Sequence, residues 1–362
     1  MAAPPIASVP DALAVLRAGR PLVLCEEDGG RPVVVVAAGA TDAGAVNFMA
    51  REARGVVCLA LTPERCDELG LELIPPRRGA AGEGQAFTVS IEAREGVTTG
   101  ISAADRARTI AAAIDPAAGE ADLCSPGHVF PIRVDPAGVI GRPGIAEAAV
   151  DLARAAGLAP AATLCAALGD HGDVLEPGET ADWCEAHGLL AVSTAAVVEW
   201  RRGRECLVRR LSGERIWTDF GVFESIVYRS LVDGSEHRAL VKGKVAGRGE
   251  VLARIHPRCT AGESFGADCG CGGLLERALA AIAAEGEGVL LHMTPPEGAP
   301  HTCDLGVAGQ ILADLGLSSL RLLTSAGAAD GAAGLARHGL SLVDEISVEA
   351  GIDPRDESFV RV

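Results

Sequence analysis

The sequence predicts an α/β (α+β) protein of two domains, and three observations predict it. Short apolar runs of β character alternate with amphipathic helical runs along the whole chain. At 362 residues the chain is long enough for two separate cores. A basic stretch near the midpoint, residues 199–211, reads as a helix end and connection between them. The expected domains are therefore 1–203 and 204–362.

In the first half, β-type runs fall at 21–25, 33–38, 56–61 and 87–91, all short and dominated by Val, Leu, Ile, Ala and Thr. Helical patterns lie between and after them at 11–17, 63–69, 102–114, 145–156 and 179–187. The second half opens with strand-like runs at 220–228, 238–245 and 251–256. A helix follows at 274–285, where Leu275, Leu279 and Ile282 repeat at i, i+4, i+7 and Gly286 offers a C-terminal cap. A buried strand at 289–292, a helix at 305–315 and a strand at 320–324 complete the pattern. The two halves share no internal repeat.

Composition narrows the function. The chain is 48% hydrophobic but only 3% aromatic, which implies cores packed mainly by Ala, Val and Leu. A formal net charge of −17 argues against nucleic acid and anionic membrane as partners, so a phosphorylated ligand would need a local pocket. No apolar run is long enough to span a bilayer, and the start lacks a secretory pattern, so the expected location is cytoplasmic. The basic residues are almost all Arg, with Lys only at 242 and 244, which codon bias in a GC-rich genome explains as readily as selection does. Eleven cysteines, an odd number without the density of a disulfide framework, read as mostly reduced and buried.

One cysteine group has metal-like spacing. Cys259, Cys269 and Cys271 follow Arg254-Ile-His256-Pro-Arg258 and precede the 274–285 helix. Two thiolates one residue apart and a third nearby suit a soft cation such as zinc, with one coordination position left open.

At this point the residues resemble a known family. In the first half, Gly96-Val-Thr98-Thr99-Gly-Ile-Ser-Ala-Ala-Asp-Arg106 and Pro126-Gly-His128-Val-Phe-Pro-Ile-Arg133 resemble 3,4-dihydroxy-2-butanone 4-phosphate (DHBP) synthase, the riboflavin-pathway lyase acting on ribulose 5-phosphate. The second half resembles GTP cyclohydrolase II through 251–259, Cys269-Gly-Cys271, 288–292 and 310–324. The order matches the bifunctional riboflavin-biosynthesis family in which the two are fused, and the likeness covers 11–345. It implies the family's two α/β domains, the second shortened, and zinc held by Cys259, Cys269 and Cys271.

The resemblance also marks departures. Aligned from Leu24, the lyase's metal-binding glutamate falls on Gly30, its arginine on Gly29 and its last aspartate on Val34. The second metal ligand, a histidine, becomes Ile145, and a late-strand glutamate becomes Ala166. These side chains offer no oxygen or nitrogen to a hard cation, so magnesium is not expected there. Glu26, Glu27 and Asp28 lie just upstream as substitutes, or as an exposed acidic turn. His128 and Glu147 survive as candidate catalytic positions, and Arg142, Thr98 and Thr99 as candidate substrate-binding ones, with Arg142 before a helix start suited to phosphate.

In the second half, Arg254 and His256 are candidate substrate-binding residues, while the family's guanine-reading glutamine aligns with Leu274. Its triphosphate motif is reduced to 294–299, its catalytic segment with a tyrosine is deleted, and its lysine-bearing phosphate turn is 324–329 without a lysine. Tyr228, the single tyrosine of the chain, sits in a different strand. His301 and Cys303 enter where the segment is missing, and either is a candidate fourth zinc ligand.

The expectation drawn from these departures is a homologue that has lost both activities and acts as a structural or regulatory partner of an active paralogue or pathway enzyme. The alternatives are a repurposed enzyme acting on a phosphorylated sugar or nucleotide-derived substrate, and residual riboflavin-pathway activity. The lyase family's homodimer implies a homodimer here.

Overall fold

Two seven-stranded mixed sheets organise the chain, one in Met1–Arg201 and the other in Arg202–Val362. The computed structural model describes residues 6–26, 29–75, 86–295, 301–325, 331–336 and 338–348. Among the described residues no helix is long and apolar enough to cross a membrane.

The first unit contains strands β1 Leu22–Cys25, β2 Val33–Ala37, β3 Cys58–Leu61, β4 Ile91–Ala93, β5 Leu123–Arg133, β6 Ala161–Ala166 and β7 Ala191–Ser193. Their order across the sheet is β4-β5-β3-β6-β2-β1-β7. Its helices are α1 Val9–Arg17, α2 Ala43–Phe48, α3 Pro63–Glu68, α4 Ala103–Ile114, α5 Ile145–Ala155, α6 Pro177–His187 and α7 Thr194–Arg202. Local chemistry sets several starts: the Ser8, Asp42, Thr62 and Ser102 side chains each accept a backbone N–H of the first turn of α1, α2, α3 and α4. A core of Val, Leu, Ile and Ala from β2, β3 and β6 packs against α2 and α4, as the low aromatic content predicts.

The second unit contains β8 Val208–Thr218, β9 Gly221–Ser230, β10 Glu236–Lys242, β11 Val251–Pro257, β12 Gly288–Met293, β13 Ser319–Thr324 and β14 Ser341–Ser347, in the order β14-β13-β11-β12-β10-β9-β8. Strands β8, β9, β10 and β12 pair antiparallel in succession, whereas β12 pairs parallel with β11, β11 with β13 and β13 with β14. Helices α8 Thr260–Phe265, α9 Cys271–Glu285, α10 Leu305–Asp314 and α11 Gly331–Ala336 connect the parallel part. Helix α9 packs on one face through Ala278, Leu279 and Ile282 with Leu252, Leu290 and Leu323. Helix α10 packs on the other through Val307, Ala308, Ile311 and Leu312 with Ala253, Leu291 and Leu322. The chain therefore changes face between β11 and β13, and at such a switch the carboxyl ends of parallel strands open into a crevice.

Two expectations differ from the structure. The run 87–91 is not one strand: Phe87 and Thr88 make isolated bridges, and β4 begins at Ile91. The basic stretch read as a connection divides between the end of α7 and β8, an edge strand whose exposed arginines project to solvent.

Candidate functional site

The cysteine cluster is assembled by one turn of helix and one glycine. Cys259, just past the carboxyl end of β11, caps α8, where its Sγ accepts Gly262 N–H at 3.4 Å. Cys269 and Cys271 flank Gly270, whose φ of +72° is a left-handed turn that lets α9 start at Cys271. The three Sγ atoms lie within 4.8 Å of one another, with Cys259 and Cys269 3.7 Å apart. Two thiolates 2.3 Å from one tetrahedral zinc stand about 3.8 Å apart, so the spacing fits the ion.

Two further features fit a cation. A Cβ on Gly262 would stand 2.4 Å from Cys269 Sγ and 3.5 Å from Cys259 Sγ, so the cradle needs glycine. Burial and the neighbouring thiols push the Cys271 thiol well up, while hydrogen bonding to Cys271 holds the Cys269 thiol below its ordinary value. Three thiolates so close repel one another until a cation joins them. Gly262→Ala is thus expected to displace Cys269 and weaken metal binding at least about tenfold, as read by competition with a chromophoric chelator; unchanged affinity would contradict the cradle.

Behind the cluster lies a network of which the sequence singled out one member, His256, as a candidate substrate-binding residue. Register sets His256 of β11 directly opposite His292 of β12, with the rings stacked 6.0 Å apart. Both imidazoles meet one carboxylate: His256 Nε2 is 3.2 Å from Glu263 Oε1, and His292 Nε2 is 2.8 Å from Glu263 Oε2. Glu263 Oε1 also accepts Cys259 N–H at 2.7 Å. Burial drives the His256 pKa down to about 4, and its Nδ1 has no hydrogen-bond partner among the described residues. The one legible signal for Glu263 was its helical i+4 spacing from Cys259.

Arg254, Cys269, Cys271, Leu274, His301 and Cys303 are among the residues lining a crevice of 490 Å³ at the switch point. Arg254 is 5% exposed and donates from Nη1 to Leu323 O at 2.8 Å. Leu274 gives this crevice an apolar wall where the resemblance expects a glutamine. Tyr228 lines a different cavity and donates to Asp314 Oδ2 at 2.5 Å.

In the first unit the sequence candidates fall into separate local pairs. His128 Nδ1 meets Glu92 Oε2 at 2.8 Å. Thr98 donates from N–H and Oγ1 to Asp105, at 3.0 and 2.8 Å, and this bonding holds the Asp105 carboxyl below its usual range. Arg142 donates from Nε to Glu147 Oε1 at 2.7 Å and from Nη2 to Arg133 O at 3.1 Å, and Glu147 is buried. Arg142, proposed for phosphate, is thereby engaged by a carboxylate, while Thr99 is exposed.

The positions that align with the family's magnesium ligands carry no donor side chain. Gly30 accepts Glu26 N–H through its carbonyl in a tight turn, and Glu26 pairs with Arg31 at 3.2 Å. Ala166 ends β6 opposite Val33, and Ile145 is the first residue of α5. Glu27 and Asp28, and most of the segments 294–299 and 324–329, lie outside the described residues.

Comparison with known proteins places this geometry in a family. Residues 10–200 match the model for 3,4-dihydroxy-2-butanone 4-phosphate synthase, and 209–302 match that for GTP cyclohydrolase II. The chain is 36% identical to the riboflavin biosynthesis protein RibBA of Salinispora arenicola, covering 98% of this chain and 91% of that protein. It is 35% identical to RibBA of Aquifex aeolicus, covering 98% and 95%. Among solved structures it is similar to RibBX of A. baumannii, described as a two-domain 3,4-dihydroxy-2-butanone 4-phosphate synthase, with a TM-score of 0.77, 32% identity and coverage of 93% of this chain and 99% of that one.

Proposed function

The chain belongs to the bifunctional riboflavin-biosynthesis family, a DHBP synthase domain followed by a GTP cyclohydrolase II domain, and on that premise we propose that it has lost both reactions. In this reading it acts as a homodimeric structural or regulatory partner of an active paralogue or pathway enzyme, and its cysteine cluster holds zinc.

The observation that carries the reading is the pairing of the polar groups left in the first unit. Arg142 binds Glu147, His128 binds Glu92 and Thr98 binds Asp105, while Gly30, Ile145 and Ala166 have nothing to offer a metal. Abstracting a proton beside a carbonyl needs a base and an electrophile; His128, held by Glu92 through Nδ1, keeps the form of a base, but Gly30, Ile145 and Ala166 would hold no metal to polarise the carbonyl. Groups that act as a unit commonly cost orders of magnitude in rate when removed together. In the second unit Cys259, Cys269 and Cys271 would hold zinc, whose chemistry elsewhere in the family is to supply an attacking water. Here Arg254 would balance charge, Leu274 would keep the wall apolar, and Glu263 would fix Cys259.

One comparison favours a second reading. RibBX, of nearly the same span, is described as a synthase with two domains, which supports a synthase whose second domain is silent. The deciding experiment assays ribulose 5-phosphate with magnesium, and GTP with zinc, on protein of measured metal content. No conversion of either is the expected result. Turnover of ribulose 5-phosphate alone would establish the second reading, and turnover of GTP would overturn both.

A further inference from the structure

We infer that His301 closes the cysteine cluster as a fourth ligand, converting a three-cysteine site into a closed Cys₃His zinc centre. The inference rests on the reading that Cys259, Cys269 and Cys271 hold the metal, and it does not depend on whether either domain is catalytic.

Three observations lead to it. His301 Nδ1 lies 3.2 Å from Cys271 Sγ. In a tetrahedral site with Zn–S of about 2.3 Å and Zn–N of about 2.0 Å, a sulfur and a nitrogen ligand stand roughly 3.5 Å apart, close to this contact. The Cys259–Cys269 separation of 3.7 Å matches the corresponding sulfur–sulfur edge, and the three sulfurs are the atoms that converge, so closing the tetrahedron takes a movement of the His301 ring from Cys271 toward the other two. The backbone of His301 has φ of +70°, a sparsely populated conformation for a side-chain-bearing residue, which a binding site can hold in place.

The competing ligand, Cys303, has a different environment. It packs against the core beside α10, and neither it nor His301 belongs to the trio of converging sulfurs, whereas His301 Nδ1 touches Cys271 Sγ. The charge balance also favours an imidazole. Zinc with three thiolates and a neutral histidine carries one negative charge, and buried Arg254, which lines the same crevice as Cys271, His301 and Cys303, carries one positive charge. A fourth thiolate would leave a second negative charge with no cation assigned to it. Closure in this way fills the coordination position at which a zinc-bound water would otherwise sit.

The test uses the full-length protein loaded with Co²⁺, whose absorption reports ligand type and number. His301→Ala is expected to change the d–d bands and to weaken metal binding at least about tenfold, and added imidazole is expected to restore the original spectrum. Cys303→Ala should change neither. Bands and affinity indifferent to His301→Ala would overturn the inference, as would a change produced by Cys303→Ala and not by His301→Ala. Imidazole rescue distinguishes a lost ligand from a misfolded variant: a His301→Ala protein that binds cobalt but ignores imidazole also counts against the closed centre. A wild-type protein that takes up no metal would sink the metal reading itself, and this inference with it.

Discussion

Stripping the metal from the full-length protein is expected to lower the melting transition of the C-terminal unit by about 10 °C and to leave that of the N-terminal unit in place. A ligand that binds only the folded state stabilises it by roughly 4 kcal/mol when present at about a thousand times its dissociation constant. In a unit of this size each kcal/mol moves the melting temperature by about 2–4 °C. The cluster is well placed to transmit that energy, because Cys259 ends the β11 connection, Cys271 starts α9, and α9 covers one face of the sheet. The sheet and its two cores do not pass through the cysteines, so the unit should stay folded without metal, unlike a small zinc finger. Calorimetry with and without chelator, followed by zinc addition, reads the effect. A chelated protein that melts within about 2 °C of the untreated one would leave the cluster without a stabilising role.

The elements legible in the sequence are those whose pattern is local. Helix α4 announced itself through Ser102 and an amphipathic run, and α9 through Leu275, Leu279 and Ile282 with Gly286 behind them. Strand β5 was missed because Pro126 and Pro131 lie inside it, and proline usually argues against a paired strand. Strand β8 was missed because Arg209, Arg210 and Arg215 resemble a solvated connection, whereas an edge strand tolerates charge on its exposed side. Helix α8 is too short for any apolar period, and its start is fixed by a cysteine side chain.

The metal trio was visible because its ligands lie within thirteen positions of one another, but of the residues supporting it His256 was read only as a substrate-binding candidate, and Glu263 and His292 were not singled out. His256 and His292 meet only because β11 and β12 pair in parallel in one particular register, and register across thirty-five residues is not written locally. The same limit applies in the first unit. That Arg142 faces Glu147 follows from their placement around the start of α5, but that Glu147 also accepts Asp135 N–H depends on how the helix sits on the sheet.

Glu263→Ala is expected to destabilise the C-terminal unit by about 3–5 kcal/mol. The carboxylate accepts from three donors: Cys259 N–H and the Nε2 groups of His256 and His292. His256 is 1% exposed, so its abandoned N–H would have no water to turn to. Each hydrogen bond to a charged group contributes roughly 1.5–3 kcal/mol, and the three are not independent, which sets the range below their sum. Glu263→Gln keeps the volume and one acceptor oxygen but aims an amide NH₂ at an imidazole, so a smaller cost of about 1–3 kcal/mol is expected. Urea denaturation with chelator present separates this effect from metal loss, since none of the three hydrogen bonds uses a thiolate sulfur. A double-mutant cycle with His292→Phe should give a coupling of at least about 1 kcal/mol, because the two side chains share a bond. Additive single effects, or a Glu263→Ala protein within about 0.5 kcal/mol of wild type, would show that the carboxylate merely decorates α8 and does not tie β11, β12 and Cys259 together.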